Sequence, residues 1–146
     1  MRKPRGVFLA AATAAGSLLA LAVPAAAYAA YYGSETNYAV WTTAEPDSNS
    51  SCQEIIGGVV CFQPAGDLIF VKDRSAEGNA VAADWYTTYA GPSRTGSCVH
   101  KLTADATRWA VCNKDFTEGN IVHIRAAYYV GGEPQGSSAW RGVYNG

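Results

Sequence analysis

Four cysteines that follow an export-like segment constrain this chain more than any other feature. Cys52, Cys61, Cys98 and Cys112 form an even set in a chain of 146 residues. Disulfides form in oxidising compartments outside the cytosol, and small exported domains depend on them. The cysteines therefore predict a small extracellular domain that is held by two disulfides.

The start of the chain has the composition of a secretory signal peptide. Three basic residues within the first five precede an apolar stretch over residues 7–23, and Pro24 follows. The next alanines allow cleavage after Ala27 or after Ala29. Because the apolar stretch is shorter than the roughly 20 residues that a spanning helix needs, we expect a cleaved signal over residues 1–29. The exported protein is then secreted, with no membrane attachment.

The charge of the remaining chain argues against nucleic acid as a partner. The chain has 11 basic and 12 acidic residues, and three of the basic residues lie in the signal. Removing the signal leaves eight basic residues against 12, a formal charge of −4, with no basic cluster. Proteins that bind nucleic acid or anionic lipid surfaces neutralise phosphates with clustered lysine and arginine. Neither class of partner is expected here.

Residues 52–146 are expected to form one disulfide-stapled domain. Four cysteines allow three connectivities, and we favour the sequential pairing because Gly57 and Gly58 lie between the first two cysteines and suit a tight hairpin. On the chain-entropy model, the two short loops stabilise the fold by about 2.7 and about 3 kcal/mol. Those contributions are large beside a typical net stability of about 5–15 kcal/mol.

Short apolar runs separated by turn residues predict an all-β fold, and no stretch shows sustained helical periodicity. The clearest strand is 121–129, where Val122, Ile124, Ala126 and Tyr128 share one face. The pattern predicts a small antiparallel β-sandwich or barrel of about seven strands. The expected strands are residues 59–62, 68–71, 81–88, 98–102, 108–112, 121–129 and 138–144.

Residues 30–51 form an N-terminal extension with three open interpretations. Tyr38, Val40, Trp41 and Thr43 belong to a β-prone stretch, and a polar, linker-like stretch follows them. The stretch is the first strand of the domain, a flexible tail, or a strand that adds to the sheet of a partner. In the third case these four residues are the partner-binding residues, and the partners are other secreted proteins.

The sequence contains no recognisable catalytic or metal-binding motif. His100 and His123 are the only histidines, and the cysteines are expected to be oxidised, so no zinc ligand set is available. The carboxylates, which include Asp73 and Asp84, are scattered, and no G-x-S-x-G motif occurs. We therefore expect a protein that is not an enzyme, with no catalytic residues, no cofactor and no metal.

Aromatic residues are the remaining signal. Four tryptophans and nine tyrosines are many for this length, and such side chains bring large contact areas to interfaces. Trp109, three residues before Cys112, is the expected core tryptophan. A surface platform is expected from five tyrosines, which makes carbohydrate a further candidate partner: Tyr86, Tyr89, Tyr128, Tyr129 and Tyr144.

Several motifs resemble those of a group of small secreted two-disulfide β proteins of actinomycetes, mostly without an assigned function. The motifs are Cys61-Phe62-Gln63-Pro64, Phe70-Val71-Lys72-Asp73, Ala83-Asp84-Trp85, Cys112-Asn113-Lys114-Asp115-Phe116 and Ser137-Ser138-x-Trp140. They are structural, so the resemblance implies a fold and no catalytic role. A short tail before one β domain is also similar to the adaptor subunit of the umbrella toxin particles of Streptomyces. That resemblance implies a link between partner proteins through the N-terminal segment.

The first cysteine pair carries a second resemblance. Cys52-x8-Cys61-Phe62 resembles the opening of small secreted Streptomyces peptidase inhibitors with a crystallin-like Greek key. The second half of the chain lacks the tyrosine-glycine corner of that family. The sequence thus predicts a secreted binding or adaptor module, with a peptidase inhibitor as the alternative. An inhibitor would use a rigid loop, and Gly91–Gly96 before Cys98 is the candidate.

Overall fold

The computed structural model describes residues 31–146, which form eleven β-strands in two sheets. The expected signal peptide and residue 30 lie outside the described residues. The strands are β1 (Glu35–Tyr38), β2 (Val40–Thr42), β3 (Ser51–Ile55), β4 (Gly58–Gln63), β5 (Leu68–Asp73), β6 (Ala80–Thr88), β7 (Thr95–His100), β8 (Trp109–Asn113), β9 (Asn120–Val130), β10 (Glu133–Ser137) and β11 (Arg141–Asn145).

The two sheets face each other as a sandwich. Sheet A has the order β1-β7-β6-β9-β10, and β11 also pairs with the long strand β9. Sheet B has the order β2-β8-β5-β4-β3. All pairs are antiparallel except β1 with β7, which is parallel. The all-β expectation is confirmed, but the estimate of about seven strands was too low.

Among the additional strands, β10 has almost no apolar signal. β10 was not among the expected strands, because it contains no large apolar residue; all of its residues are exposed in the structure. It becomes a strand because β9 extends far enough to pair with it, from Val130 back to Ala127. Pairing with a long neighbour therefore creates a strand that periodicity does not reveal.

Both disulfides have the sequential pairing that we favoured. Cys52–Cys61 joins β3 to β4 across a hairpin, where the two residues are directly opposite each other. Cys98–Cys112 joins β7 of sheet A to β8 of sheet B. The first disulfide therefore staples one hairpin, and the second ties the two sheets together. Such bonds suggest an oxidising, extracellular environment.

The core tryptophan is Trp85, so the expectation for Trp109 was wrong. Trp85 is fully buried between the sheets, where its ring centroid lies 5.0 Å from that of Phe116. Trp109 is half-buried on the outer face of sheet B, where the Lys72 ammonium lies 4.3 Å from the ring centroid. The alternation along β8 puts Ala110 and Cys112 inside, so the odd-numbered Trp109 faces outward.

Candidate N-terminal edge

The N-terminal stretch is part of the sandwich and supplies one edge of each sheet. β1 pairs with β7 at the edge of sheet A, and β2 pairs with β8 at the edge of sheet B. The chain changes sheets at Ala39, which is only 4% exposed and packs in the core. We call residues 35–42 the N-terminal edge. Edge strands leave backbone donors and acceptors on their outer side without a sheet partner.

The four residues singled out from the sequence point in different directions. Tyr38 is 55% exposed and Val40 is 63% exposed, so both project away from the core on either side of Ala39. Trp41 is half-buried and packs edge-on against the His100 ring, with a centroid distance of 5.2 Å. Thr43 is exposed just after β2. The structure therefore leaves Tyr38 and Val40 on the surface, whereas Trp41 packs against the body of the domain.

A close approach of two backbones allows β1 to lie beside β7. Gly33 has a φ of +79°, and a Cβ at this position would collide with the backbone of Thr95 and Gly96. A Cβ on Gly96 would in turn collide with the Glu35 carbonyl oxygen and the Trp85 ring. Glycine at both positions is therefore a condition for this docking.

Ion pairs hold the N-terminal edge in place. Arg94 donates two hydrogen bonds to the Glu35 carboxylate at 2.8 and 2.9 Å, and the Lys114 ammonium donates a third at 2.9 Å. Lys114 also donates to the side-chain oxygen of Asn37 at 2.6 Å. The hydrogen bonds from Arg94, followed by those from Lys114, lower the pKa of Glu35 to about 2. Glu35 thus remains charged and paired at neutral pH.

A buried carboxylate lies under the start of the described chain. Asp84 on β6 is 0% exposed and faces the outer side of sheet A. It accepts hydrogen bonds from Ser97 at 2.8 Å, from the Tyr129 hydroxyl at 2.9 Å and from Arg125 at 3.0 Å. Burial raises the pKa of Asp84, and these donors act in the opposite direction. Sequence reasoning missed this cluster because its members are far apart in the chain.

Tyr31 and Tyr32 cover the Asp84 cluster. The Tyr32 backbone accepts a hydrogen bond from the Ser97 hydroxyl at 2.9 Å and donates one to the Tyr129 hydroxyl at 3.2 Å. The Tyr31 ring packs edge-on against Tyr129, with a centroid distance of 4.9 Å. The segment before β1 therefore gives the centre of sheet A a cover on its outer face.

Half-buried aromatic residues continue across this outer face. Tyr86 stacks on the His123 ring at 4.2 Å, and Trp140 packs edge-on against Tyr86 at 4.8 Å. The Arg125 guanidinium lies 4.5 Å from the Trp140 ring centroid. The aromatic platform expected from the sequence thus includes Tyr86, but Tyr129 is buried beneath it.

The loop proposed for peptidase inhibition is a bent connection between β6 and β7. Gly91 has a φ of +71°, and the Arg94 backbone N–H donates to the Thr87 hydroxyl at 3.0 Å. The Arg94 side chain binds Glu35 and does not project into solvent as a free basic group. Tyr89, at 85% exposed, is the most prominent apolar side chain of this loop.

Neither a metal cluster nor a membrane span is found in residues 31–146. No three His, Cys, Asp or Glu side chains in this range are grouped so that they could hold a metal ion. No helix within the same range has the length and apolar character needed to cross a membrane.

Comparison with known proteins found no relative of this chain. No protein-family model, no curated protein and no solved structure matches it.

Proposed function

We propose that this protein is a secreted, non-enzymatic binding module that contacts another extracellular protein through its N-terminal edge. The observation that carries the proposal is the pair of exposed apolar side chains, Tyr38 on β1 at the edge of sheet A and Val40 on β2 at the edge of sheet B. Exposed apolar groups beside unpaired backbone groups favour the addition of a strand from a partner. The backbone would supply affinity, and the two side chains would supply specificity.

The partner supplies the added strand in this proposal, and the N-terminal edge stays where it is. Releasing the edge would expose Ala39, unpack Trp41 from His100 and leave Lys114 without Glu35. Lys114 is 8% exposed, so the loss of its partner would leave a buried charge unpaired. Insertion of this segment into a partner is therefore less favourable than pairing along its free side.

An adaptor in a secreted toxin particle is the specific form of this function that the sequence resemblance implies. An adaptor needs a rigid body, and the disulfide between the sheets supports one. It also needs at least one exposed surface that recognises a protein, and the N-terminal edge is that surface in our proposal.

Paired substitutions test the proposal. Lysine on an edge strand opposes strand addition, so Tyr38→Lys and Val40→Lys should each reduce partner capture at least about tenfold. Tyr144→Lys on β11 and Val130→Lys on β9 are the matched controls, because Tyr144 is 62% and Val130 43% exposed away from this edge. The measurement is affinity capture from native culture fluid, with quantification of the captured protein by mass spectrometry.

The outcome separates three results. Loss of capture in the edge variants alone supports the proposal. Equal capture by all four variants overturns it, and equal loss in the controls shows that the contact lies elsewhere. Tight stoichiometric inhibition of subtilisin or trypsin would instead favour the peptidase inhibitor alternative.

A further inference from the structure

A cleft of about 580 Å³ lies at one end of the sandwich, and neither Tyr38 nor Val40 is among the residues that line it. Its volume falls within the roughly 300–1,000 Å³ that is typical of small-molecule sites. Three connections form its walls: the β5–β6 loop, the β7–β8 loop and the turn between β9 and β10. The rings of Tyr31 and Tyr129 complete the lining.

His100 is the unusual residue of this cleft. It is 1% exposed, and neither Nδ1 nor Nε2 has a hydrogen-bond partner among the described residues. Burial lowers the pKa of His100, so its ring is neutral at neutral pH, with one donor and one acceptor. A buried polar group without a partner destabilises the fold, so it calls for a physical explanation.

The other buried polar atoms without partners do not share this location. Within residues 31–146 they are Asp67 Oδ1, Trp85 Nε1 and Asn145 Nδ2, and none of these residues lines the cleft. Among these groups, only the His100 imidazole belongs to a residue that lines the cleft.

A carboxylate and several neutral polar groups line the cleft together with His100. Asp73 is 3% exposed, and its Oδ1 accepts the Ser75 backbone N–H at 2.9 Å. Ser75, Asn79 and Thr103 add hydroxyl and amide groups to the lining. These groups offer both donors and acceptors, and the Tyr31 ring offers an apolar face.

The charges disfavour an ionic ligand. The buried carboxylate of Asp73 would repel an anion. Lys101 lies at the rim, where its ammonium group sits 5.4 Å from the Tyr31 ring centroid and 4.9 Å from that of Tyr38. A cation would find one carboxylate and no further acidic side chain in the lining. A neutral ligand with many hydroxyl groups fits better, because each hydroxyl both donates and accepts.

We propose that this cleft binds a neutral saccharide unit of hexose size, with His100 and Asp73 contacting its hydroxyl groups and Tyr31 packing on its ring. This function is distinct from protein binding at the N-terminal edge and uses other residues, although Lys101 at the rim of the cleft lies 4.9 Å from the Tyr38 ring centroid. A module with both sites would connect a protein partner to a glycan.

Nuclear magnetic resonance of the oxidised, ¹⁵N-labelled exported protein tests the inference directly. The probes are glucose, galactose, mannose and N-acetylglucosamine, with galacturonate as the charged comparison. The chain has two histidines, so His123, which lies outside the cleft, is an internal control for His100. We expect at least one neutral sugar to shift the imidazole nitrogen resonances of His100 and to leave those of His123 unchanged.

Two alanines in the β7–β8 loop provide a matched pair of variants. Ala104 lines the cleft, whereas Ala106 is exposed and does not. Ala104→Trp should fill the cleft and weaken binding of the identified sugar at least about tenfold, and Ala106→Trp should leave it unchanged. His100→Phe should weaken the same binding by a similar factor, because the ring nitrogens are gone.

Three results would overturn the inference. The first is that none of the neutral sugars, added up to the solubility limit of the sugar, shifts the imidazole nitrogen resonances of His100. The second is that galacturonate alone does so. The third is that the Ala104 and Ala106 variants bind the sugar equally well. Retained protein capture at the N-terminal edge in the Ala104 variant would show that the two sites fail or succeed independently.

Discussion

Asp84 and His100 are both buried in sheet A, but their surroundings differ sharply. Asp84 accepts hydrogen bonds from three side chains, and the N-terminal tyrosines cover the cluster. His100, at the end of β7, has no partner for either ring nitrogen within the described chain. A buried polar group with every partner in place stabilises one arrangement of the chain. One without partners lowers stability and marks a place where a ligand could supply them.

The strongest test of this contrast is removal of the Asp84 carboxylate. Asp84→Ala leaves Arg125 without its anion, removes the acceptor of the Tyr129 hydroxyl and leaves Ser97 only the Tyr32 carbonyl as an acceptor. We expect the free energy of unfolding to fall by about 3–5 kcal/mol, as measured by denaturant titration. Asp115→Ala, at an exposed carboxylate, is the control and should change stability by no more than about 0.5 kcal/mol. Similar losses in both variants would show that the Asp84 cluster is not structural.

A single hydroxyl of the same cluster should have a smaller effect. The Tyr129 hydroxyl donates to Asp84 at 2.9 Å, and Tyr129→Phe removes that charge-assisted bond. We expect a loss of about 1.5–3 kcal/mol in the same titration. Tyr128→Phe on the opposite face of β9 removes one bond with Asn79 and should cost about 0.5–1.5 kcal/mol. Equal losses of stability in the two variants would show that the charge of Asp84 does not strengthen the hydrogen bond from Tyr129.

The opposite result is expected at His100. His100→Phe removes two unpaired nitrogens and keeps an aromatic ring against Trp41. Stability should range from unchanged to a gain of about 1 kcal/mol, measured without added sugar. A loss of more than about 2 kcal/mol would mean that the imidazole has a partner that stabilises the fold.

The smallest effect is a change in pH dependence. Burial lowers the pKa of His100 below its ordinary value of 6.5, so the unfolded chain binds a proton more readily than the folded protein does. The contribution of His100 to stability is therefore complete above pH 6.5 and is lost as the pH falls toward the folded-state pKa. His123 has a lowered pKa for the same reason.

Thermal unfolding between neutral and mildly acidic pH measures this slope. In His100→Phe the slope should become shallower without vanishing, because His123 still contributes. Identical slopes in the wild-type protein and the variant would contradict a depressed pKa at His100. Glu35 does not interfere, since its pKa of about 2 and its ordinary value of 4.5 both lie below this range.

Local signals predicted much of the framework. The expected stretch 121–129 is β9, with Val122, Ile124 and Ala126 buried, and the two glycines before Cys61 lie at the β3–β4 hairpin. The prediction that Trp109 is a core residue was wrong. Its spacing from Cys112 does not show which face of the strand points into the core, because the sequence does not show how that strand is placed in the sheet. The division at Ala39 was also missed, since a switch between sheets has no turn residue to mark it.

The candidate sites were beyond the reach of these signals. The expected partner residues included Trp41 as well as Tyr38, because a β-prone stretch does not show which side faces the core. Only the docking of β1 on β7 and β2 on β8 separates them. The cleft could not be predicted either, because Tyr31, Asp73 and His100 come from three distant parts of the chain and only the fold brings them to one place.

Cysteine spacing, turn residues and short apolar runs act over a few neighbouring residues, so the chain order alone specifies an oxidised, all-β body with two consecutive cross-links. The hydrogen bonds of buried polar groups cannot be predicted in this way, because they join distant residues. Tyr129, for example, binds Asp84 across 45 residues of the chain. Which donors find acceptors, and which imidazole is left without one, depends on how the two sheets stack and which strands become neighbours. That outcome belongs to the folded molecule, since hydrogen bonds require atoms to meet within about 3 Å.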